Sequence, residues 1–347
     1  MKKIAVFLIT TILFISCSRM DTSEFRKHFF DKTLRINIIH TGDAYQESYK
    51  AVKLYDDGLW YGRTKTLTNP YLLGSNFFEL RDATTDEVIY SDGFSTFFSE
   101  WRRSDEAKER QLSFNESIRI PYPQKNARLI MYSIDTLGNM HQTWEFVIDR
   151  KMKATMEPTP NHNNRIIRLL DSGNPKKKVD IVILGDGYTA DDTRVFDNDV
   201  SHFYNTFINS EPYKSRKSDF NVHAIQLISN KNDNILKTNY GTMGYDRFVL
   251  SDDEWALREY ATQSPYDFAV IMLNSSKNGG GCLYNSYITA MRPQPANYVV
   301  RHEIGHLIAG IADTYHNHDE QQALADSLLS LYDFDEIINK MLDLYTK

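Results

Sequence analysis

Apolar and polar residues alternate along the first half of the chain with the two-residue period of β-strands. Leu34, Ile36 and Ile38 alternate with Arg35 and Asn37, so successive side chains would point to opposite faces of a sheet. Similar short runs recur, with turn-forming residues between them, at residues 77–80, 88–90, 118–120, 129–134 and 144–148. Several strands at such intervals predict an all-β sandwich as an N-terminal domain over residues 21–150.

The pattern changes after residue 150, because residues 151–178 are polar and rich in turn formers, which predicts a linker between two domains. Continuous apolar runs then predict buried strands at residues 179–184, 221–227, 268–273 and 287–291. A helix is predicted after the first of these strands from apolar residues at helical spacing: Phe196, Val200, Phe203 and Phe207. Ser251 and Glu254 fit the capping box of a second helix. This alternation predicts an α/β domain with a mixed sheet over residues 179–347.

The first twenty residues have the pattern of an export signal. Lys2 and Lys3 precede an apolar run over residues 4–15, which is too short to span a bilayer but fits the core of a signal peptide. The run leads to Cys17, which follows a small residue as in a bacterial lipoprotein cleavage site. Lipidation of Cys17 would anchor the mature protein in a membrane, whereas the alternative is an ordinary secretory signal with an incidental cysteine. We therefore expect residues 1–20 to be a lipoprotein signal peptide, and the protein to be exported and lipid-anchored in a bacterial membrane, at the cell surface or in the periplasm.

The charge and cysteine content of the chain argue against nucleic-acid binding and against an internal disulfide. The formal net charge is −6, so nothing favours nucleic acid as a partner. Cys282 is the only cysteine after Cys17, so no internal disulfide is expected and stability must come from burial. With 347 residues, of which 41% are hydrophobic, the chain can build one large or two moderate cores.

The stretch with the most specific chemistry is a helix predicted around residues 299–315. It contains His302, Glu303 and His306 in an H-E-x-x-H arrangement, which places both histidines on one helix face. Two imidazoles so placed can bind one zinc ion, and Glu303 would stand beside the metal and take a proton from a water. Apolar residues opposite the histidines predict that the other face is buried: Val300, Ile304, Leu307, Ile308 and Ile311. The arrangement is typical of a zinc peptidase; the alternative is a core helix whose histidines are hydrogen-bonded to buried neighbours.

A catalytic zinc usually takes three protein ligands and leaves one position for water. Gly310 would turn the chain at the helix end, one position later than the glycine of the metzincin pattern, and Asp313 follows Gly310 by three residues, as the third ligand follows the glycine in that pattern. Asp313 is the candidate third ligand, because a carboxylate can bind zinc. His316 and His318 stay open as alternatives, since a short turn could bring either one back to the metal.

Three motifs occur in a fixed order along the second half of the chain. They are the strand and G-D-G-Y-T turn at residues 179–189, the G-G-G-C-L-Y-N segment at residues 279–285, and the H-E-I-G-H helix running to Tyr315. Together they resemble the bacterial IgA-peptidase family of HExxH zinc metallopeptidases, which is metzincin-like and has a β-rich domain at its N-terminal end. The resemblance implies a zincin-like peptidase domain with one zinc ion and a protein or peptide substrate. The residues it implies are three zinc ligands and a general base: His302, His306 and Asp313, with Glu303.

Other residues of these motifs carry further expectations. The glycine triplet at residues 279–281 could let the backbone approach a bound peptide, or could be a flexible surface loop. Tyr284, Tyr287 and Tyr315 could donate to a developing oxyanion, although packing is the commoner role of a tyrosine. Asp186 could orient a metal ligand, bind a structural ion or simply form a turn.

Two departures from the family pattern motivate an alternative function. Thr314 stands where the family has a glutamate. The chain also ends about thirty residues after Tyr315, whereas such enzymes usually continue through a segment that floors the zinc site. The first hypothesis is a zinc endopeptidase that hydrolyses peptide bonds of extracellular or periplasmic proteins. The alternative is a catalytically impaired surface lipoprotein that uses the peptidase scaffold to bind protein or glycan.

Overall fold

The structure is a computed structural model that describes residues 23–135, 137–231, 233–292, 297–310 and 334–346. Within these ranges the helices are α1 (Ser23–His28), α2 (Phe97–Trp101), α3 (Glu106–Glu109), α4 (Thr193–Ile208), α5 (Glu254–Ala261), α6 (Asn297–Ala309) and α7 (Phe334–Tyr345). The strands of the N-terminal half are β1 (Phe29–Gly42), β2 (Glu47–Asp56), β3 (Asn76–Asp82), β4 (Val88–Phe94), β5 (Leu112–Pro123), β6 (Ala127–Ile134), β7 (Met140–Ile148) and β8 (Glu157–Pro158). The strands of the C-terminal half are β9 (Ile166–Asp171), β10 (Val179–Tyr188), β11 (Phe220–Ile228), β12 (Thr238–Tyr240), β13 (Val249–Ser251), β14 (Phe268–Leu273), β15 (Gly281–Leu283) and β16 (Tyr287–Met291).

Two four-stranded sheets build the N-terminal half, in the orders β5–β1–β2–β8 and β4–β3–β6–β7. Neighbouring strands are antiparallel except for the short β2–β8 pair. Both sheets contribute to one apolar core, in which Ile36 of β1 and Leu129 of β6 are fully buried. Each run predicted from the two-residue period lies within a strand, so the prediction of a β-rich N-terminal region is confirmed.

A six-stranded mixed sheet organises the C-terminal half, in the order β15–β16–β14–β10–β11–β9. The inner strands run parallel, whereas β9 and β15 are antiparallel to their neighbours. The central strand β10 is buried on both faces, because Ile181 and Ile183 contribute to the core with α4, α6 and α7, while Val182 and Leu184 contribute to the core with α5. Helices on both faces explain why these strands are continuously apolar rather than alternating. The predicted mixed α/β half is thus confirmed.

The two halves contact each other directly along α5 and β5. The indole Nε1 of Trp255 donates to the backbone oxygen of Glu116 at 2.7 Å, and Ser117 Oγ donates to Glu254 Oε1 at 2.8 Å. The segment predicted as a linker adds β8 to one half and β9 to the other. The domain boundaries drawn from the sequence stay a prediction.

The capping box predicted for Ser251 and Glu254 is wrong. Helix α5 begins at Glu254, and the carboxylate of Asp253 accepts a hydrogen bond from the backbone N–H of Ala256 at 3.1 Å. Ser251 is held in β13, where its hydroxyl donates to the backbone oxygen of Leu236 at 2.6 Å. Aspartate is as good a helix cap as serine. Because Ser251 is held in β13 and Asp253 directly precedes the helix, Asp253 is the residue that caps α5.

Residues 1–20, with the predicted signal peptide and Cys17, lie outside the described residues. Among the helices that are described, none has the length and apolar character needed to cross a bilayer.

Candidate active site

Helix α6 carries the H-E-x-x-H sequence and is held in place by its apolar face. Ile304, Leu307 and Ile308 are fully buried in the core, and Leu342 of α7 is buried in the same core. These three apolar residues are thus buried as the helical spacing predicted, whereas Val300 is half-buried and Ile311 is outside the described residues. Burial is not confined to that face, because His306 and Ala309 are also buried. The helix is consequently fixed by packing, and not only by its own hydrogen bonds.

The polar residues of the motif lie on this fixed helix. His306 is buried, with 8% of its surface exposed, and Glu303 is half-buried. His302 lies one helical turn before His306 in the backbone of α6, and its side chain is outside the described part of the structure. The helix ends at Ala309, and Gly310 adopts a positive φ of 59°, as expected for the glycine that turns the chain.

The third-ligand candidates all fall beyond this turn. Asp313, His316 and His318 lie outside the described residues, and so do Thr314 and Tyr315. Among the residues that are described, no group of three or more metal-binding side chains comes together. The zinc ligands therefore stay a prediction.

The glycine triplet runs beside α6 and presents its successive residues to two different neighbours. A Cβ atom on Gly280 would lie 3.2 Å from Glu303 Oε1. A Cβ atom on Gly281 would instead lie 2.5 Å from the backbone oxygen of Val249, and Gly279 faces the same strand pair, β12 and β13. Successive side chains of an extended chain point in opposite directions, so the middle glycine faces the helix and the outer two face the β12–β13 hairpin. A side chain at 280 would displace the Glu303 carboxylate by a few tenths of an ångström, so glycine leaves it room beside the backbone.

The backbone of the triplet is also paired with the hairpin. The N–H of Gly280 donates to the backbone oxygen of Arg247 at 3.0 Å, and the N–H of Val249 donates to the oxygen of Gly280 at 2.9 Å. Gly280 and Gly281 are therefore paired at the edge of the sheet, next to the hairpin, rather than forming an unpaired loop.

The prediction that the G-D-G-Y segment turns the chain is wrong, because this segment lies within β10 and only shifts the register of its pairing with β11 between Gly185 and Tyr188. The segment holds the other strand of the hairpin. Asp186 is fully buried, and its carboxylate accepts hydrogen bonds from the N–H of Leu236 at 3.2 Å and from Thr238 Oγ1 at 2.6 Å. Burial raises the pKa of Asp186, and these hydrogen bonds offset part of that rise. Asp186 therefore anchors the start of β12. The three sequence motifs are thus connected in space. Asp186 at the end of β10 holds β12, and β12 pairs with β13. Val249 of β13 holds the triplet, in which Gly280 faces Glu303.

Both tyrosines of this region that the structure describes have packing roles. Tyr287 is buried, and its hydroxyl lies 3.1 Å from the N–H and 3.3 Å from the oxygen of Ser251. Tyr284 is buried with its ring against Gly74 and Gly310. These contacts favour packing over donation to an oxyanion.

Two protein-family models match the chain. One is described as Peptidase M64 N-terminus and covers residues 24–145; the other is described as IgA Peptidase M64 and covers residues 167–327. The chain belongs to the M64 peptidase family. This M64 peptidase therefore belongs among the proteases, whose substrates are proteins or peptides. A search of curated proteins found no match to it.

Sequence reasoning missed one contact of this M64 peptidase at its candidate site. Asn285, in the turn between β15 and β16, donates through Nδ2 to the backbone oxygen of Gly93 at 2.9 Å. Gly93 lies in the N-terminal half, 192 positions away in the chain. Asn285 ends the G-G-G-C-L-Y-N segment, but no periodic pattern links it to so distant a partner.

Proposed function

We propose that this M64 peptidase is a zinc-dependent endopeptidase with a zincin-like catalytic half. The observation that carries the proposal is the position of Glu303, whose carboxylate lies against the main chain at Gly280 on the helix that also carries His302 and His306. The donor set fits zinc, because two imidazoles four residues apart on one helix can reach a single ion. Burial of His306 supports this fit, since packing holds its imidazole in one position on the helix.

In the proposed mechanism, His302, His306 and Asp313 would hold the ion. Zinc, when bound, would acidify a water and polarise the scissile carbonyl. Glu303 would accept the proton of the attacking water and return it to the leaving amine nitrogen. Gly280 supports this role, because it leaves room for the Glu303 carboxylate beside an ordered sheet edge. The peptide bond would break as the amine leaves with that proton.

The metal site is tested by the zinc content of purified residues 20–347, measured by elemental mass spectrometry. We expect about one zinc per wild-type chain and its loss in His306→Ala. His141→Ala is the matched control, because the His141 side chain is 61% exposed and lies in the N-terminal half. A folded wild type that takes up no zinc even after addition of the ion would refute the metal part of the proposal.

The general base is tested with Glu303→Gln, which keeps the size of the side chain and removes its basicity. We expect peptide cleavage to fall by about 10²–10⁴-fold while zinc content stays unchanged. Glu87→Gln, an exposed residue of the N-terminal half, should keep full activity. Cleavage that survives in Glu303→Gln would show that the mechanism is wrong. A zinc-loaded wild type that cleaves no peptide in a library would instead support the alternative, a protein that binds other molecules without catalysis.

We also propose that the protein is exported and anchored in a bacterial membrane through a lipid on Cys17, with extracellular or periplasmic proteins as substrates. The support is the sequence of residues 1–20 alone. In cells that express the full chain, the wild type should sediment with membranes and Cys17→Ser should not, whereas Cys282→Ser should behave as wild type. Membrane retention of Cys17→Ser would exclude lipidation as the anchor.

A further inference from the structure

The turn between β15 and β16 touches both halves of the protein. It runs through Leu283 and Ser286, whose oxygen and N–H form a hydrogen bond of 3.0 Å. Asn285 within it adopts a positive φ of 53°. Asparagine tolerates this left-handed conformation better than most residues, so the turn can be tight while its side chain stays available for a distant partner.

On one side, the N-terminal half holds this turn with two hydrogen bonds from the end of β4. Asn285 Nδ2 donates to the backbone oxygen of Gly93 at 2.9 Å. The N–H of Ser95 donates to the backbone oxygen of Tyr284 at 3.0 Å. One of these bonds depends on a side chain, so it can be removed by substitution.

On the other side, the same turn holds the end of α6. The backbone N–H of Asn285 donates to the oxygen of Leu307 at 3.2 Å. Leu307 follows His306 directly, and its carbonyl is among the last of the helix, which have no partner within the helix itself. Asn285 therefore connects Gly93 of the N-terminal half to the helix end beside His306.

Gly310, where the chain leaves α6, packs against both the turn and the N-terminal half. A Cβ atom on Gly310 would lie 3.1 Å from Tyr284 Cδ2 and 3.3 Å from Leu73 Cβ. Leu73 belongs to the N-terminal half, so the exit of the chain from α6 lies between the turn and that half. Asp313 follows Gly310 by three residues in the sequence.

A buried ion pair ties the turn to the N-terminal half a second time. Arg258 Nη2 donates to Ser286 Oγ at 2.7 Å, and Arg258 Nε donates to Glu254 Oε1 at 3.0 Å. The same Glu254 oxygen accepts from Ser117 Oγ of β5 at 2.8 Å. Because both charged side chains are about nine-tenths buried, this arrangement keeps one geometry.

We infer that the N-terminal β-rich half is part of the catalytic apparatus, and that Asn285 is the positioning residue through which it fixes the His306 end of α6. This inference rests on the proposed zinc peptidase function and adds a role for the N-terminal half. Apolar packing holds most of α6, but the position of its last turn depends on Asn285 and its hydrogen-bond partners. Groups that hydrogen-bond a metal ligand directly change metal affinity by about 10–100-fold when they are lost. Asn285 acts on Leu307, the residue after His306, so we expect an effect at the lower end of that range.

The test uses Asn285→Gly in the full zinc-loaded protein and in its metal-free form. Glycine adopts a positive φ without strain, so the turn is kept and only the bond to Gly93 is removed. Asn163→Gly is the matched control, because Asn163 also has a positive φ, of 51°, and is exposed. Two quantities are measured: zinc affinity by competition with a chelator, and amide hydrogen exchange of residues 304–310.

We expect Asn285→Gly to bind zinc about 10-fold more weakly and to exchange faster at the end of α6, while Asn163→Gly matches wild type in both. Asn285→Asp is the second variant; it keeps the shape but turns an oxygen towards the Gly93 carbonyl, so the loss should be at least as large. Wild-type affinity and exchange in Asn285→Gly would overturn the inference. If wild type itself binds no zinc, the proposed metal site fails, and hydrogen exchange alone then decides whether Asn285 positions the helix end.

Discussion

Substituting Gly280 by alanine tests the contact between the glycine triplet and Glu303. The added Cβ would lie 3.2 Å from Glu303 Oε1 and 3.4 Å from the backbone oxygen of Thr289. The second distance is an ordinary contact and the first is too short by a few tenths of an ångström, so the carboxylate is the group that moves. A misplacement of about 1 Å in an active site can cost about 10²-fold in rate, so a shift of a few tenths should cost about 3- to 10-fold. That loss corresponds to about 0.7–1.4 kcal/mol in the activation barrier.

The assay is kcat/KM on a cleaved peptide, together with zinc content and the free energy of unfolding of each variant. Gly280→Ala should lose activity while zinc content and stability stay near wild type. Gly281→Ala is the neighbouring control, because its Cβ would lie 2.5 Å from a backbone atom of Val249 and so should cost about 1–3 kcal/mol of stability. Full activity in Gly280→Ala, or a loss explained entirely by lower stability, would refute the placement of Glu303 against the triplet.

Three further predictions concern stability. Leu342→Ala should lower the free energy of unfolding by about 2–5 kcal/mol in chemical denaturation, because Leu342 is fully buried in the core that α7 shares with α6; a loss below about 1 kcal/mol would contradict that packing. Burial raises the pKa of Glu47, but hydrogen bonds from His40 and Tyr49, together with the nearby charges of Arg102 and His40, outweigh it and lower the pKa from 4.5 to about 2. Because the folded-state pKa is depressed, the ionised Glu47 stabilises the fold above pH 4.5, and this stabilisation is lost as the pH falls towards 2. Glu47→Gln should therefore reduce the pH dependence of the unfolding free energy between pH 4.5 and 2. An unchanged pH dependence in this variant would contradict the lowered pKa of Glu47. Asp253→Ala should cost about 1 kcal/mol by the same measurement, as the loss of the α5 cap, and no change would mean that another group caps the helix.

Much of the fold could be predicted because its signals are local. The period-two runs of the N-terminal half, the apolar strand β10 and the helical spacing of Phe196, Val200, Phe203 and Phe207 each lie within one element, so each can be recognised without its partners. The same holds for Ile304, Leu307 and Ile308 of α6, which are buried as their spacing predicts. The H-E-x-x-H spacing likewise predicts two histidines on one helix face, because helix geometry alone sets that relation.

The cap of α5 shows where local reasoning fails. Ser251 and Glu254 have the spacing of a capping box, but Ser251 is taken up by the pairing of β13 with β12. Asp253 then caps the helix. A local preference is worth only about 1 kcal/mol, so a strand pairing with several hydrogen bonds overrides it.

The sequence by itself determined the longer strands of both halves, the helices α4 and α6, the residue types of the candidate site and the family motifs, since these depend on spacing within a few residues. Only the tertiary structure decided that Gly280 is the residue of the triplet that lies beside Glu303 and that Asp186 anchors the β12–β13 hairpin. It also decided that Asn285 joins Gly93 to the end of α6. The physical reason is that these contacts join residues far apart in the chain. Their energies are gained only after the sheet and both halves have assembled, so no local period can encode them.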